Sequence, residues 1–296
     1  MVTVALAFGT ERPLASKALV PRFPDAGAIA ASAVRCLLDE LETWPKPGLV
    51  SHIDSGSHED MDAGTFRASA AAIRPYFQAL AEAGAAGRAM VALREIGLDA
   101  EAAMLAATSG VNTHRGAIFG LGLLCAAAGA RIGGQVDPTL SLGTVVLRLW
   151  ARGIFEGPMV QQSHGQVARR RFGAGGARIE AALGFPSIYH VGLPTLRKSV
   201  LEAPDDAEAQ RIETCFALIA VVEDTTLLHR GGLSGLGFAR RAARRFLDQG
   251  GVGAPGWRDR AHFVHKSFVA RRLSPGGSAD LLAMTLFVDA QERMLA

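Results

Sequence analysis

Cysteine is scarce in this 296-residue chain. Cys36, Cys125 and Cys215 stand far apart, each in an apolar stretch, and no CxxC pair occurs. This excludes a disulfide framework and a cysteine-based zinc site, and it fits buried free thiols in a reducing compartment. Strand signals are nearly absent as well. No segment alternates cleanly over six residues, and alanine dominates where β-branched residues would be needed. No apolar run reaches the ~20 residues of a membrane span. The longest are 117–130 and 215–222, although the mean hydropathy is +0.20. Residues 1–9 are apolar but lack the basic segment of a secretory signal. Charge of one sign is not in large excess: 31 Lys and Arg face 28 Asp and Glu, a net +3, far from a nucleic-acid-binding composition. There is no P-loop, no GxGxxG after a strand, no HExxH, no zinc spacing among the histidines and no nucleophile elbow. The expectation is a soluble cytoplasmic protein with neither nucleic acid nor membrane as partner.

What is present is helix. Hydrophobic residues make up 49 % and charged residues 20 %, enough for a packed core. Ile29, Ala33, Leu37 and Leu41 recur every four residues, as on one helical face, and Pro45 and Pro47 stop that helix. Further helices are predicted over 63–83, 99–107, 117–129, 138–152, 176–183, 206–228, 234–249, 257–272 and 279–294. Residues 1–25 read as a loosely held arm and 26–296 as one all-α catalytic domain, a multi-helix bundle with long functional loops at helix N-termini. Helices apolar on most faces are compatible with a homodimer.

Polar clusters sit where apolar helices begin, and a helix start offers free N–H groups and a positive dipole end. His58, Asp60 and Asp62 close the long segment 45–62. Asp62 suits an N-cap, yet two close carboxylates also suit a hard cation such as Mg²⁺. Asn112-Thr113-His114-Arg115-Gly116 opens the helix at 117: Asn112 or Thr113 would cap it, leaving His114 and Arg115 in the first turn. Cations there oppose the dipole, a penalty that a bound anion would reverse. Ser274-Pro275-Gly276-Gly277-Ser278-Ala279-Asp280 makes a tight turn whose amides can face a phosphate, with Ser278 as cap. Glu223 and Asp224, with Arg230 downstream, lie within one predicted helix, where an internal ion pair is the simplest reading. Arg178 and Glu180 form a looser group.

Taken together, Pro45-Lys46-Pro47-Gly48-Leu49-Val50, His58 with Asp60-Met61-Asp62, Gly110 to Gly116, and Ser274 to Leu282 resemble the triphosphoribosyl-dephospho-CoA synthase family. Gly184-Phe185-Pro186 and the segment Asp224-Thr225 to Arg230-Gly231 look like it too. The resemblance spans about residues 30 to 290. The family commonly has Lys where this chain has Arg115, and Gly-Ala-His where it has Gly56-Ser57-His58.

The resemblance implies an attack by the ribose 2′-hydroxyl of 3′-dephospho-CoA on C1 of the ATP ribose. Adenine leaves, and the triphosphate stays on the product. Such a reaction needs a base, oxocarbenium stabilisation, a proton for adenine, and Mg²⁺ with cations for the triphosphate. The roles implied are Asp60 and Asp62 as Mg²⁺ ligands or base, and His58 or His114 in proton transfer. Lys46, Asn112, Arg115, Arg230 and the turn of Ser274, Gly276, Gly277 and Ser278 would hold ATP phosphates. Glu180, Asp224 and Asp280 are further metal carboxylates. The product would pass to an acyl carrier protein transferase, for malonate decarboxylase in preference to citrate lyase. Two rivals predict different behaviour: a Mg²⁺-dependent ribosyl hydrolase of helical fold, and a non-catalytic helical partner of an acyl carrier protein.

Overall fold

The computed structural model describes residues 25–158 and 171–293. The predicted arm, 1–25, lies outside these residues except for Asp25, whose side chain caps the first helix by accepting from Ala28 N at 2.6 Å. Among the described residues eleven α-helices follow in chain order: α1 (Ala26–Leu41), α2 (Ala63–Ala85), α3 (Met90–Ala107), α4 (Arg115–Ile132), α5 (Leu142–Glu156), α6 (Gly176–Ala182), α7 (Leu193–Glu202), α8 (Ala207–Val221), α9 (Thr225–Asp248), α10 (Trp257–Val269) and α11 (Gly276–Arg293). A π-turn, Ile188–Gly192, leads into α7, and a 3₁₀ turn, Gly251–Gly253, follows α9. No strand occurs among the described residues, and the fold is all-α.

The centre is α4. It packs against α1, α2, α3, α5, α6 and α11. By length and composition it would serve as a membrane span, but 78 % of it is buried inside the protein, so packing accounts for its apolarity. Its closest neighbour is α2. A Cβ on Gly84 would collide with the Ala126 carbonyl, and one on Gly129 with the Ala81 carbonyl. The two backbones therefore touch, with small residues on both sides of the contact.

Several boundaries differ from the expectation. Helix α3 begins at Met90, not near 99, because its first half is tied to α5. Leu93 is buried, Arg94 Nη2 donates to Gly153 O at 2.9 Å, and Trp150 Nε1 donates to Arg88 O at 3.0 Å. Helix α7 and the π-turn were not expected in a stretch rich in glycine. The predicted helix 206–228 breaks at Val222–Asp224, where Asp224 turns out to be an N-cap. Conversely, 225–248 runs on with a kink at Gly232 (φ 58°, ψ −159°), a conformation open essentially to glycine alone.

Candidate active site

Four helix starts meet at one end of the bundle, and named contacts join them in sequence. Asp224 links α9 and α11. Its Oδ1 accepts from Thr226 N (2.9 Å) and Leu227 N (3.1 Å), and its Oδ2 accepts from Ser278 N (2.8 Å) and Ser278 Oγ (3.1 Å). One carboxylate, 1 % exposed, thus caps two helices. Ser278, expected to cap α11 itself, is instead a donor in its first turn. Gly277 lies against the same carboxylate, and Gly276 against Thr226.

Asp280 links α11 to α4. It accepts a hydrogen bond from the Ala117 backbone and lies so close to Gly116 that any Cβ there would clash. Its carboxyl is held well above the usual carboxylate range, first by burial, then by the negative charges of Glu40 and Asp224. The start of α4 also meets α2. Ser69 Oγ lies 2.6 Å from His114 Nδ1, Thr113 Oγ1 donates to Ser69 Oγ (2.7 Å), and the Phe66 ring meets the His114 ring edge-on at 4.9 Å. His114 stands at the N-cap position, not in the first turn, and its side chain caps nothing. Burial, then the nearby Lys46 charge, depress its pKa to about 4.

The sign for stability follows. Below pH 6.5 the unfolded chain protonates at this residue while the folded chain does not, so stability falls as pH drops toward 4. We expect His114→Gln to remove about 2 kcal/mol of the stability loss between pH 7 and pH 5, measured by urea unfolding at both pH values.

The loop between α1 and α2 covers the same end. Ser57 Oγ donates to Leu273 O (2.6 Å), and His58 Nε2 lies 2.9 Å from Ser274 Oγ. Arg230 donates to Ser57 O (3.0 Å), to Arg272 O (3.1 Å) and to His58 Nδ1 (3.1 Å). A guanidinium only donates, so Nδ1 accepts and the His58 proton sits on Nε2, facing Ser274. Burial and Arg230 lower the His58 pKa, with Asp60, 3.6 Å away, partly offsetting them.

The structure gives other predicted site residues different tasks. Lys46 is 1 % exposed, its ammonium bonded to the Glu40 carboxylate and, at 2.6 Å, to the Glu40 carbonyl. It supports the site from beneath and presents no ammonium to solvent. Asp62 is exposed and caps α2 in a capping box with Thr65. Asn112 accepts from Arg115 N at 3.2 Å, and Arg115 Nε pairs with Glu101 at 2.9 Å. Glu180 accepts from Ser187 N (2.7 Å) and Ser187 Oγ (3.0 Å), just before the π-turn. The expected metal set of Asp60, Asp62, Glu180, Asp224 and Asp280 is therefore not one coordination shell. Among the described residues no three His, Cys, Asp or Glu side chains group as metal ligands; both oxygens of Asp224 and of Glu180 accept hydrogen bonds, and Oδ1 of Asp62 caps α2.

Glu40, Ser69 and His265 were not anticipated. His265 Nδ1 lies between Lys46 O (2.6 Å) and Gly48 N (3.3 Å) and pins the loop. The one available signal was an acidic Glu40 on the buried face of α1, six residues before a lysine flanked by prolines.

Converging helix starts with a carboxylate held above its usual pKa range, a histidine and an arginine make this end of the bundle the candidate active site of a helical enzyme. The chain belongs to the ATP:dephospho-CoA triphosphoribosyl transferase family, whose model matches residues 26–295. It is 42 % identical over 287 residues to a probable 2-(5″-triphosphoribosyl)-3′-dephosphocoenzyme-A synthase of Azotobacter vinelandii, covering 94 % of this chain and 96 % of that protein. Proteins of the same description from Pseudomonas putida (39 %, covering 88 % and 93 %) and Stutzerimonas stutzeri (41 %, covering 88 % and 90 %) are similarly related. No solved structure matches the chain significantly.

Proposed function

We propose that this chain transfers the triphosphoribosyl group of ATP to the 2′-hydroxyl of 3′-dephospho-CoA and releases adenine. The convergence of the starts of α2, α4, α9 and α11 around Asp280 carries the reading, together with family membership. Asp280 is the base for the attacking hydroxyl. Among the predicted carboxylates it combines partial exposure with few bonds to its oxygens, and its neighbours Glu40 and Asp224 favour proton uptake. The same negative charge favours an oxocarbenium-like carbon. Arg230 and the backbone of the 274–278 turn face the triphosphate, and the Nε2–H of His58, acting through Ser274, supplies a hydrogen bond to the departing adenine, which takes its proton from solvent.

Mg²⁺, which binds through one or two carboxylates plus substrate phosphates, fits Asp60, whose side chain is 62 % exposed beside His58. When bound it would neutralise triphosphate charge. The residues do not fit a cage made of protein ligands alone.

The finer parts of the proposal are a cytoplasmic enzyme, a homodimer, and a product passed to an acyl carrier protein transferase of the malonate decarboxylase branch. Mass spectrometry of a reaction with ATP, Mg²⁺ and dephospho-CoA should show adenine and the covalent adduct in equal amounts. Adenine formed from ATP without dephospho-CoA would favour a ribosyl hydrolase and overturn the transfer reading.

A further inference from the structure

Residues 225–272 hold ten Lys and Arg against two Asp and Glu, while the whole chain has 31 against 28; the rest of the molecule is net acidic. Part of this charge is spent internally. Arg240 donates to the carbonyls of Val221 and Val222, and Arg258 pairs with Asp206 and Glu208. Another part lies exposed and in line. Arg272 starts the line at the site, where its carbonyl receives Arg230. Its side chain is 85 % exposed, and its acidic neighbour, Glu59, is 3.9 Å away and 92 % exposed. Its backbone is left-handed (φ 53°), uncommon for a residue other than Gly, Asn or Asp. Arg271 comes next, with its guanidinium 4.3 Å from the Phe238 ring of α9. One turn beyond Phe238, about 5 Å along the axis, stands Arg241, exposed and without a carboxylate partner among the described residues.

We propose that Arg272, Arg271 and Arg241 form the binding track for the diphosphate of dephospho-CoA, with the Phe238 ring holding the Arg271 guanidinium in place. This rests on the transfer reaction proposed above. The triphosphate of ATP belongs to the ribose that is attacked, so it lies inside, at the helix starts. The second substrate presents a ribose hydroxyl, and its diphosphate and long amide arm must leave the site over the surface. A run of guanidiniums beginning at the site, one of them held on an aromatic ring, matches the diphosphate that leaves it.

The test compares Arg271→Gln/Arg272→Asn with wild type. Asparagine tolerates the left-handed backbone, so the turn that receives Arg230 is kept. The KM for dephospho-CoA should rise about tenfold, and the KM for ATP should stay within about twofold. Arg241→Gln, on the exposed face of α9, should raise the dephospho-CoA KM about threefold and guards against a folding defect in the double variant. An unchanged dephospho-CoA KM in both variants overturns the assignment. So does an equal rise in both KM values that disappears at high salt, since that would be general attraction of anions. Calorimetric titration of dephospho-CoA into each protein keeps the two readings distinct: a wild type that binds it through these arginines yet forms no adduct would retain the track and remove the reaction.

Discussion

Asp280→Asn is expected to slow dephospho-CoA-dependent adenine release by about 10²–10⁴-fold while leaving the protein folded and more stable at neutral pH. The two halves share one cause. The Asp280 carboxylate is partly buried between Glu40, Asp224 and the first turn of α4, and its neighbours make the charged form costly. Its folded-state pKa lies above the ordinary 3.8. Between 3.8 and that raised value the folded protein holds a proton that the unfolded chain has released, so stability falls as pH rises through this window. An asparagine of the same shape carries no charge to be disfavoured and should flatten that slope, at the expense of the base. Rate assays and urea unfolding across pH 4 to 8 test both. Adenine release at the wild-type rate would remove Asp280 from the proton transfer, and a lower stability at neutral pH would refute its electrostatic surroundings.

Asp224→Ala should lower folding stability by about 3–5 kcal/mol, since it removes two helix caps and leaves buried donors unpaired. That is a large share of a typical total of about 5–15 kcal/mol. Asp224→Asn should recover little. Its amide has one oxygen for the α9 side or the α11 side, and its NH₂ would face N–H donors on the other. Chemical denaturation of both variants checks this. A loss below about 1 kcal/mol for alanine would mean that water satisfies these donors.

Much of this was legible from residue pattern. The helical class followed from alanine-rich periodicity and missing strand signals, although the helix at Leu193–Glu202 was not read. The polar clusters pointed to helix starts, and the structure joins them through Asp224, Asp280 and His58. The errors have physical causes. Asp224 looked like a charge inside one helix because Phe216–Val222 runs apolar straight into it; only the partner donors from Ser278 reveal a cap that bridges two elements. Lys46 looked like a phosphate ligand because the family resemblance implied that role, whereas Glu40 draws its ammonium inward. Asp62 had two readings from sequence, and local bonds to Thr65 give it the structural one. Long-range pairing of this kind leaves no local trace.

The contact of α2 with α4, backbone against backbone, bears on how the protein breathes. With carbonyls of one helix pressed where side chains of the other would stand, and neighbours all around α4, no partial opening exposes the amides of 120–130. Their isotope exchange should await unfolding of the whole molecule. The loop 52–60, where most backbone lies near the surface, should exchange long before that.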